Sequence, residues 1–304
     1  MGYFQEQKEM GIRIYGLKSW REKRRIFLFL MRSLKNKKQI DGFHQFFANY
    51  KPLPHYLDVH YALEEDINRV FFYKGSTAAE RLEKIETHFN ALPNYFNQQA
   101  LEDMYMHEED HGLSIWKNED LDMEAKLLFV SGQRKEGLLT LLLTIGGQGL
   151  YHINFRFDKD PATGETYVII GTLQGYQDGL EKAKKATKKM YGYRPKNFIC
   201  YLMRLLVQNW GITRLDAISD EGFYTNNHAI RLNRSKKVQF DPFWEELGGH
   251  VREDKRFFNL PIEEERKPIE EIKSQKRSQY RNRYAMMDQV AEDVATVVAA
   301  VRPQ

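Results

Sequence analysis

Five short β-forming segments follow one another between residues 113 and 173, each cut from the next by turn chemistry. They cover 113–116, 125–131, 138–145, 150–157 and 166–173, and their separators are rich in glycine and polar residues: 132–137, Gly146-Gly147, and Asp160-Pro161-Ala162-Thr163-Gly164. Connections this short cannot carry a crossover to a parallel neighbour, so consecutive strands must pair antiparallel as a meander. Two helices are expected next, over 177–190 and 195–210, followed by a strand over 213–218 that starts after Gly211 as a helix-ending residue. The second of these helices carries Phe198, Ile199, Tyr201, Leu202, Leu205, Leu206 and Trp210 around most of its circumference. It needs more than one buried face, which places it on the sheet.

The stretch 17–49 has no proline and only one glycine, Gly42, and its apolar residues recur at helical spacing, which predicts two helices. A third is expected over 78–92, opened by Thr77 as N-cap with Glu80 three residues on, and closed by Pro93. Residues 219–261 read as a looped segment and 267–301 as a long polar helix. The fold class that results is α+β. It consists of a helical N-terminal region (1–110), a mostly antiparallel sheet with packed helices (111–261) and a C-terminal helix (262–304).

With 42% hydrophobic and 13% aromatic residues in 304, the chain can bury a sizeable core, which excludes disorder as its main state. The net charge of +4 is too small to point to nucleic acid, and no stacking-aromatic motif accompanies the basic clusters, so a nucleic-acid partner is not expected. Residues 1–40, however, carry +8, leaving −4 for the rest. A basic arm of this kind, with Phe27, Phe29 and Leu30 interleaved, would suit an anionic membrane surface or a protein partner. The single cysteine, Cys200, excludes an internal disulfide and any multi-cysteine metal cluster. No apolar signal region opens the chain, and the apolar runs 26–31 and 138–145 are far short of a bilayer span. A soluble cytoplasmic protein, at most peripheral to the inner membrane, is the expectation.

Three stretches carry candidate chemistry. Gly171, Gln174 and Gly175 sit at a strand end, where backbone can approach a ligand and amide groups can meet an anion. Arg194 and Lys196 flank Pro195 at a helix start, after a lysine-rich helix, in an arrangement suited to a phosphate. Asp220, Glu221 and His228 follow the last predicted strand, where acid/base groups are often presented from loops. A solvated lysine face and a structural histidine explain the same residues without any chemistry. Cys200 reads as a core thiol. His107-Glu108-Glu109-Asp110-His111 matches a zinc spacing formally but lies in a polar stretch, and no metal is predicted.

The series 170–175, Ala186-Thr187-Lys188, Gly192-Tyr193-Arg194-Pro195-Lys196, 240–249, Leu260-Pro261 and 276–284 resembles the bacterial VirK/YbjX family. The resemblance implies a cytoplasmic Gram-negative protein linked to virulence and to tolerance of antimicrobial peptides, without established catalytic residues. A fainter resemblance, in the order strand, glycine turn, helix, strand, is to the GNAT acyltransferase architecture. It implies an acyl donor, either acyl-CoA or acyl carrier protein, held by Gly171, Gln174, Gly175, Arg194 and Lys196, with His228, Asp220 or Glu221 as acid/base. Here a lysine-rich helix separates Gln174-Gly175 from Arg194, a departure from the GNAT pyrophosphate loop. The competing expectation is a non-enzymatic accessory factor docking on the inner membrane face or on a partner protein.

Overall fold

The computed structural model describes residues 2–106, 111–177, 179–226 and 239–303. Its N-terminal third is helical: α1 (Tyr3–Tyr15), α2 (Trp20–Lys35), α3 (Lys37–Asn49), the single turns α4 (Tyr56–Val59) and α5 (Glu65–Asn68), α6 (Ala78–Ala91) and α7 (Gln98–Tyr105). Helix α6 begins as its sequence predicts. Thr77 accepts from the Glu80 amide, and the Glu80 carboxylate accepts from the Thr77 amide. Ser19 and Glu22 make the same box at α2, and α1 is a helix that the sequence reading leaves out.

The five meander strands are β1 (Leu113–Asn118), β2 (Met123–Leu128), β3 (Leu139–Ile145), β4 (Gln148–Lys159) and β5 (Thr166–Gly175), each antiparallel to the next. The chain then passes through α8 (Gly179–Lys189) and α9 (Pro195–Asn209) to β6 (Leu215–Ile218), which lies parallel to β5. The expected loop 219–261 instead holds a short helix, α10 (Asp241–Glu246), and a hairpin, β7 (His250–Val251) and β8 (Phe257–Leu260), with β8 pairing β6. The sheet order is β1-β2-β3-β4-β5-β6-β8-β7, with β5–β6 its one parallel pair among the described residues. The C-terminal helix α11 (Ser274–Ala300) starts later than expected, because Pro268 and a 3-10 turn, Ile269–Glu271, occupy the residues before it.

Period-2 alternation and the register fix what each face holds. On one face lie Trp116, Leu141, Leu143, Ile153, Phe155, Phe157, Val168 and Ile170, all buried. Helix α9 covers them: Phe198 meets Trp116 edge-on at 5.0 Å, and Trp210 lies 5.1 Å from Phe157. Helix α11 packs on α9 and β1 through Met287, Val290, Val294 and Val298. The helical N-terminal region covers the other face at its Arg156–Asp158 end and shares one continuous core with the sheet. Where β3 ends, the Phe157 amide on the bared edge of β4 donates to Nδ1 of His88 from α6. His88 is fully buried and its pKa is pushed down to about 3 by burial, so it serves as a neutral structural acceptor. No helix among the described residues is long and apolar enough to cross a membrane.

Candidate functional site

The ladder between β5 and β6 covers only Val168–Ile170 against Leu215–Ala217, while β5 itself runs on to Gly175. From Gly171 onward, then, β5 faces no strand on that side among the described residues. Its register with β4 also jumps there. Asn154 pairs Thr172 and Phe155 pairs Ile170, which leaves Gly171 as the extra residue of a β-bulge. Glycine is required: a Cβ at 171 would lie 1.7 Å from the Glu136 carbonyl oxygen.

The Glu136 turn is pressed onto the same spot. A Cβ on Gly137 would meet the Phe155 amide nitrogen at 2.5 Å, and the Leu138 amide donates to the Phe155 carbonyl. Arg134, in the same turn, anchors it to α5 through Asp66 (3.0 Å) and Glu65. Burial pushes the fully buried Asp66 up to about 8 despite that arginine, while Glu65, less deeply buried, is held low against its own burial by Arg134, Tyr15 and Arg69. The turn is thus clamped from both sides.

Glu136 itself is 8% exposed, with Tyr224 and Asn154 hydrogen-bonded to its carboxyl. Burial outweighs those bonds and pushes its pKa up to about 7. A carboxyl poised near neutrality beside an unpaired strand edge can both take and return a proton. Around it lie other polar groups of the same sheet face. Asn154 accepts from Thr140 and donates to the Gln133 carbonyl, and Gln174 donates to Thr172. The buried His152 has an Nδ1 without a partner and a pKa pushed down to about 4 by burial. The guanidinium of Arg156, 1% exposed, makes no hydrogen bond among the described residues and lies 3.6 Å from Asp158, which Lys84 of α6 also reaches.

The candidates from sequence fall into two groups. Gly171, Gln174 and Gly175 are at this bulge and its exit. Arg194 and Lys196 meet α10 instead: Arg194 pairs with Glu246, which also accepts from Asn197, and Lys196 sits 3.8 Å above the Phe243 ring. Burial holds the Lys196 ammonium below the usual lysine range. The two groups approach each other at Tyr151, which pairs Gly175 across the ladder and feels the charge of Arg194. Asp220 accepts from the Phe240 amide at the opposite end of α10, and Glu221 is exposed. His228 lies outside the described residues, as does His107 of the formal zinc spacing. Among the described residues no group of His, Cys, Asp and Glu could hold a metal ion. The Cys200 thiol is buried and pushed up to about 12 by desolvation, which removes it as a nucleophile.

Sequence reasoning missed Glu136, Asn154, His152 and Arg156. The available signal was Gly132 and Gly137 bracketing a charged turn, together with polar residues at every second position from 152 to 158 in a strand otherwise apolar.

Comparison with known proteins gives a consistent family. The E. coli (strain K12) "Uncharacterized protein YbjX" is 27% identical over 237 residues, covering 76% of this chain and 70% of that protein. An "Uncharacterized protein" of Haemophilus influenzae is 31% identical over 160 residues, 48% of this chain and 52% of its own length. A second from the same organism is 31% identical over 127 residues, 41% of each. No solved structure matches. The family described as "Protein of unknown function (DUF535)" matches residues 18–296, and the chain belongs to that family, to which the resemblance to YbjX had pointed.

Proposed function

We propose that this protein binds an acyl-thioester and transfers its acyl group to an acceptor amine or hydroxyl. The observation that carries the reading is the early end of the β5–β6 ladder beside the Gly171 bulge. β5 runs five residues past that ladder along an edge that meets no strand among the described residues, whereas β6 ends at Ile218, whose carbonyl accepts from the Trp244 indole. An extended amide-bearing chain such as the pantetheine arm of acyl-CoA or acyl carrier protein can pair with such an edge as an added strand would. The strand order, a meander leading into one helix-connected parallel pair, supports the GNAT resemblance.

In this reading Gly171, Gln174 and Gly175 line the arm, and Arg194 and Lys196 meet its phosphates, with Glu246 exchanging its place on Arg194 for the ligand. Glu136 takes the acid/base role for which the sequence offers His228, Asp220 and Glu221. Its carboxylate accepts the proton of the acceptor group as that group attacks the thioester carbonyl. A C–N or C–O bond forms and the C–S bond breaks. The thiolate leaves and takes a proton from Glu136, so charge and atoms balance. Virulence and tolerance of antimicrobial peptides, which the family resemblance implies, would then be served through the acylated acceptor.

The test is the thermal midpoint of the purified chain against CoA, acetyl-CoA, a long-chain acyl-CoA and acyl carrier protein. A saturable rise that Arg194→Ala abolishes is expected. Glu136→Gln should keep that rise while losing at least ~100-fold in thiol release once an acceptor is supplied. No rise with any donor would overturn the proposal.

A further inference from the structure

Helix α2 is apolar on two faces, and only one of them is covered. Ile26, Phe29, Leu30 and Ser33 are buried against its neighbours: Phe29 meets Tyr15 of α1 at 6.1 Å, and Ser33 accepts from Asn68 of α5. The adjoining face, about 120° round the helix, presents Trp20 (77% exposed), Phe27 (61%), Met31 (51%) and Leu34 (43%). At 100° per residue these four fall within an arc of about 60°, a continuous stripe along the helix. Cations border it on both sides, with Lys23 along one margin and Arg24 and Lys35 along the other, while Arg21, Arg25 and Arg32 continue the basic surface further round the helix, all exposed. None of the six has a carboxylate partner among the described residues, and the helix's one acidic residue, Glu22, is turned back onto the Ser19 amide.

We propose that this face docks on an anionic phospholipid bilayer. The stripe enters the boundary between headgroups and acyl chains, and the flanking guanidinium and ammonium groups pair with lipid phosphate. Charge complementarity selects the occupant. Lys23, Arg24 and Lys35 flank the stripe without carboxylate partners among the described residues and the remaining three cations add to a basic surface beside it, which matches a uniformly anionic plane, whereas a protein partner would need an acidic face around an apolar groove. The rest of the fold is compatible, since Ile26, Phe29 and Leu30 of α2 fall outside the continuous core and α2 packs on α1, α3 and α5. The inference is independent of the acyl-transfer proposal.

The molecule carries its own reporter. Trp116, Trp210 and Trp244 are buried, so a vesicle-dependent change in tryptophan emission comes from Trp20. Full-length protein would be mixed with vesicles of phosphatidylcholine alone and of phosphatidylcholine with phosphatidylglycerol. Co-sedimentation with the anionic vesicles is expected, with a blue shift of emission that Trp20→Phe removes and a fall in binding as salt rises. Phe27→Ser combined with Leu34→Ser should weaken binding at least ~tenfold while moving the thermal midpoint by only ~2–4 °C, because Phe27 is mostly and Leu34 nearly half in solvent. Arg24→Ala with Lys35→Ala should weaken binding to anionic vesicles and flatten the salt dependence. No sedimentation with anionic vesicles would overturn the proposal, as would binding that the Phe27/Leu34 pair leaves intact. A dimer that the same pair dissolves would assign the face to a second copy of the chain instead.

Discussion

The two faces of the sheet are made by the same strands and differ in nearly every side chain. Toward α9 and α11 the register stacks Leu141, Ile153 and Leu173 in one row and Phe155 and Ile170 in the next, with no polar group among them. Toward the helical region the same strands carry Thr140, His152, Asn154, Arg156, Asp158, Thr172, Gln174 and Asp216. Some of these charges are fully answered. Asp216 is paired by Arg214 and Arg252 and accepts from Asn259, and nearby Arg81 donates to the carbonyls of Asp66, Ile67 and Ser76. Others are not: Nδ1 of His152 and the guanidinium of Arg156 find no hydrogen-bond partner among the described residues, and burial pushes Glu136 up toward neutrality. A buried polar group short of partners costs stability, so the contrast separates a face built for stability from one that also holds a site.

The apolar face should give the largest stability effect. Phe198 is fully buried between Trp116 and Tyr193, and Phe198→Ala should cost about 3–5 kcal/mol in a denaturant titration, with transfer and cavity contributions adding. A loss below about 1 kcal/mol would mean that this face is not close-packed, and the contrast would fail there.

Next comes Glu136 on the polar face. Its folded pKa of about 7 stands above its ordinary value of 4.5, so between those values the native state holds a proton that the unfolded chain has released. The stabilisation this brings is fully present below pH 4.5 and is lost as pH rises through 7. Glu136→Gln cannot lose it. The variant's stability relative to wild type should therefore rise by up to about 3 kcal/mol from pH 4.5 to pH 8, measured by chemical denaturation at several pH values. His88 and His152, both pushed down by burial, work in the opposite sense, losing stability as pH falls below about 6.5. They are present in both proteins and cancel in the difference. A flat difference would place Glu136 in an ordinary environment and remove it as the acid/base group.

How much of this is legible in the sequence depends on how local the cause is. The meander, α6 with its Thr77 box and the apolar α9 are set by periodicity and turns within a dozen residues, and they stand close to where the sequence puts them. The β7–β8 hairpin is not legible, because strands of two and four residues carry no usable period. Gly171 reads as a turn at a strand end, yet it is a bulge inside a ten-residue strand, imposed by a carbonyl 35 positions earlier in the chain. Glu136 reads as one charge in a turn. Its chemistry comes from burial under Tyr224 and Asn154, contacts that no local pattern announces. Arg194 and Lys196 are correctly placed at a helix start, but the Glu246 that meets Arg194 is a tertiary fact.

A smaller effect is expected from Arg156, and its sign is the sharper part. The guanidinium makes no hydrogen bond among the described residues, and its surroundings are the Phe72 ring at 5.3 Å, the Tyr73 ring at 6.0 Å and the Asp158 carboxylate. Lys84 remains to pair Asp158 when the arginine is gone. Arg156→Met, which keeps the length and apolar stem, should lie within about 1.5 kcal/mol of wild type or be more stable, as replacements of buried charges by apolar groups often are. A loss of 3 kcal/mol or more would show that Arg156 supports the face as Arg81 does, and the division between answered and unanswered charges would have to be redrawn.

Arg194 should give the smallest stability change, and that is what makes it useful. It sits at the N-terminal end of α9, the helix that covers the apolar face, but its pair with Glu246 is 54% and 45% exposed. Ion pairs so open to water contribute about 0–1 kcal/mol, because solvent screens the attraction and two long side chains must be ordered. Arg194→Ala should therefore move the thermal midpoint by about 2 °C or less. Against that quiet background a loss of the donor-induced rise would report the ligand alone. A large drop in the midpoint would instead make Arg194 part of the α9–α10 contact, and loss of donor response in that variant would then say nothing about a phosphate. Lys196→Gln could separate the two outcomes, since Lys196 touches α10 through the Phe243 ring without a carboxylate of its own.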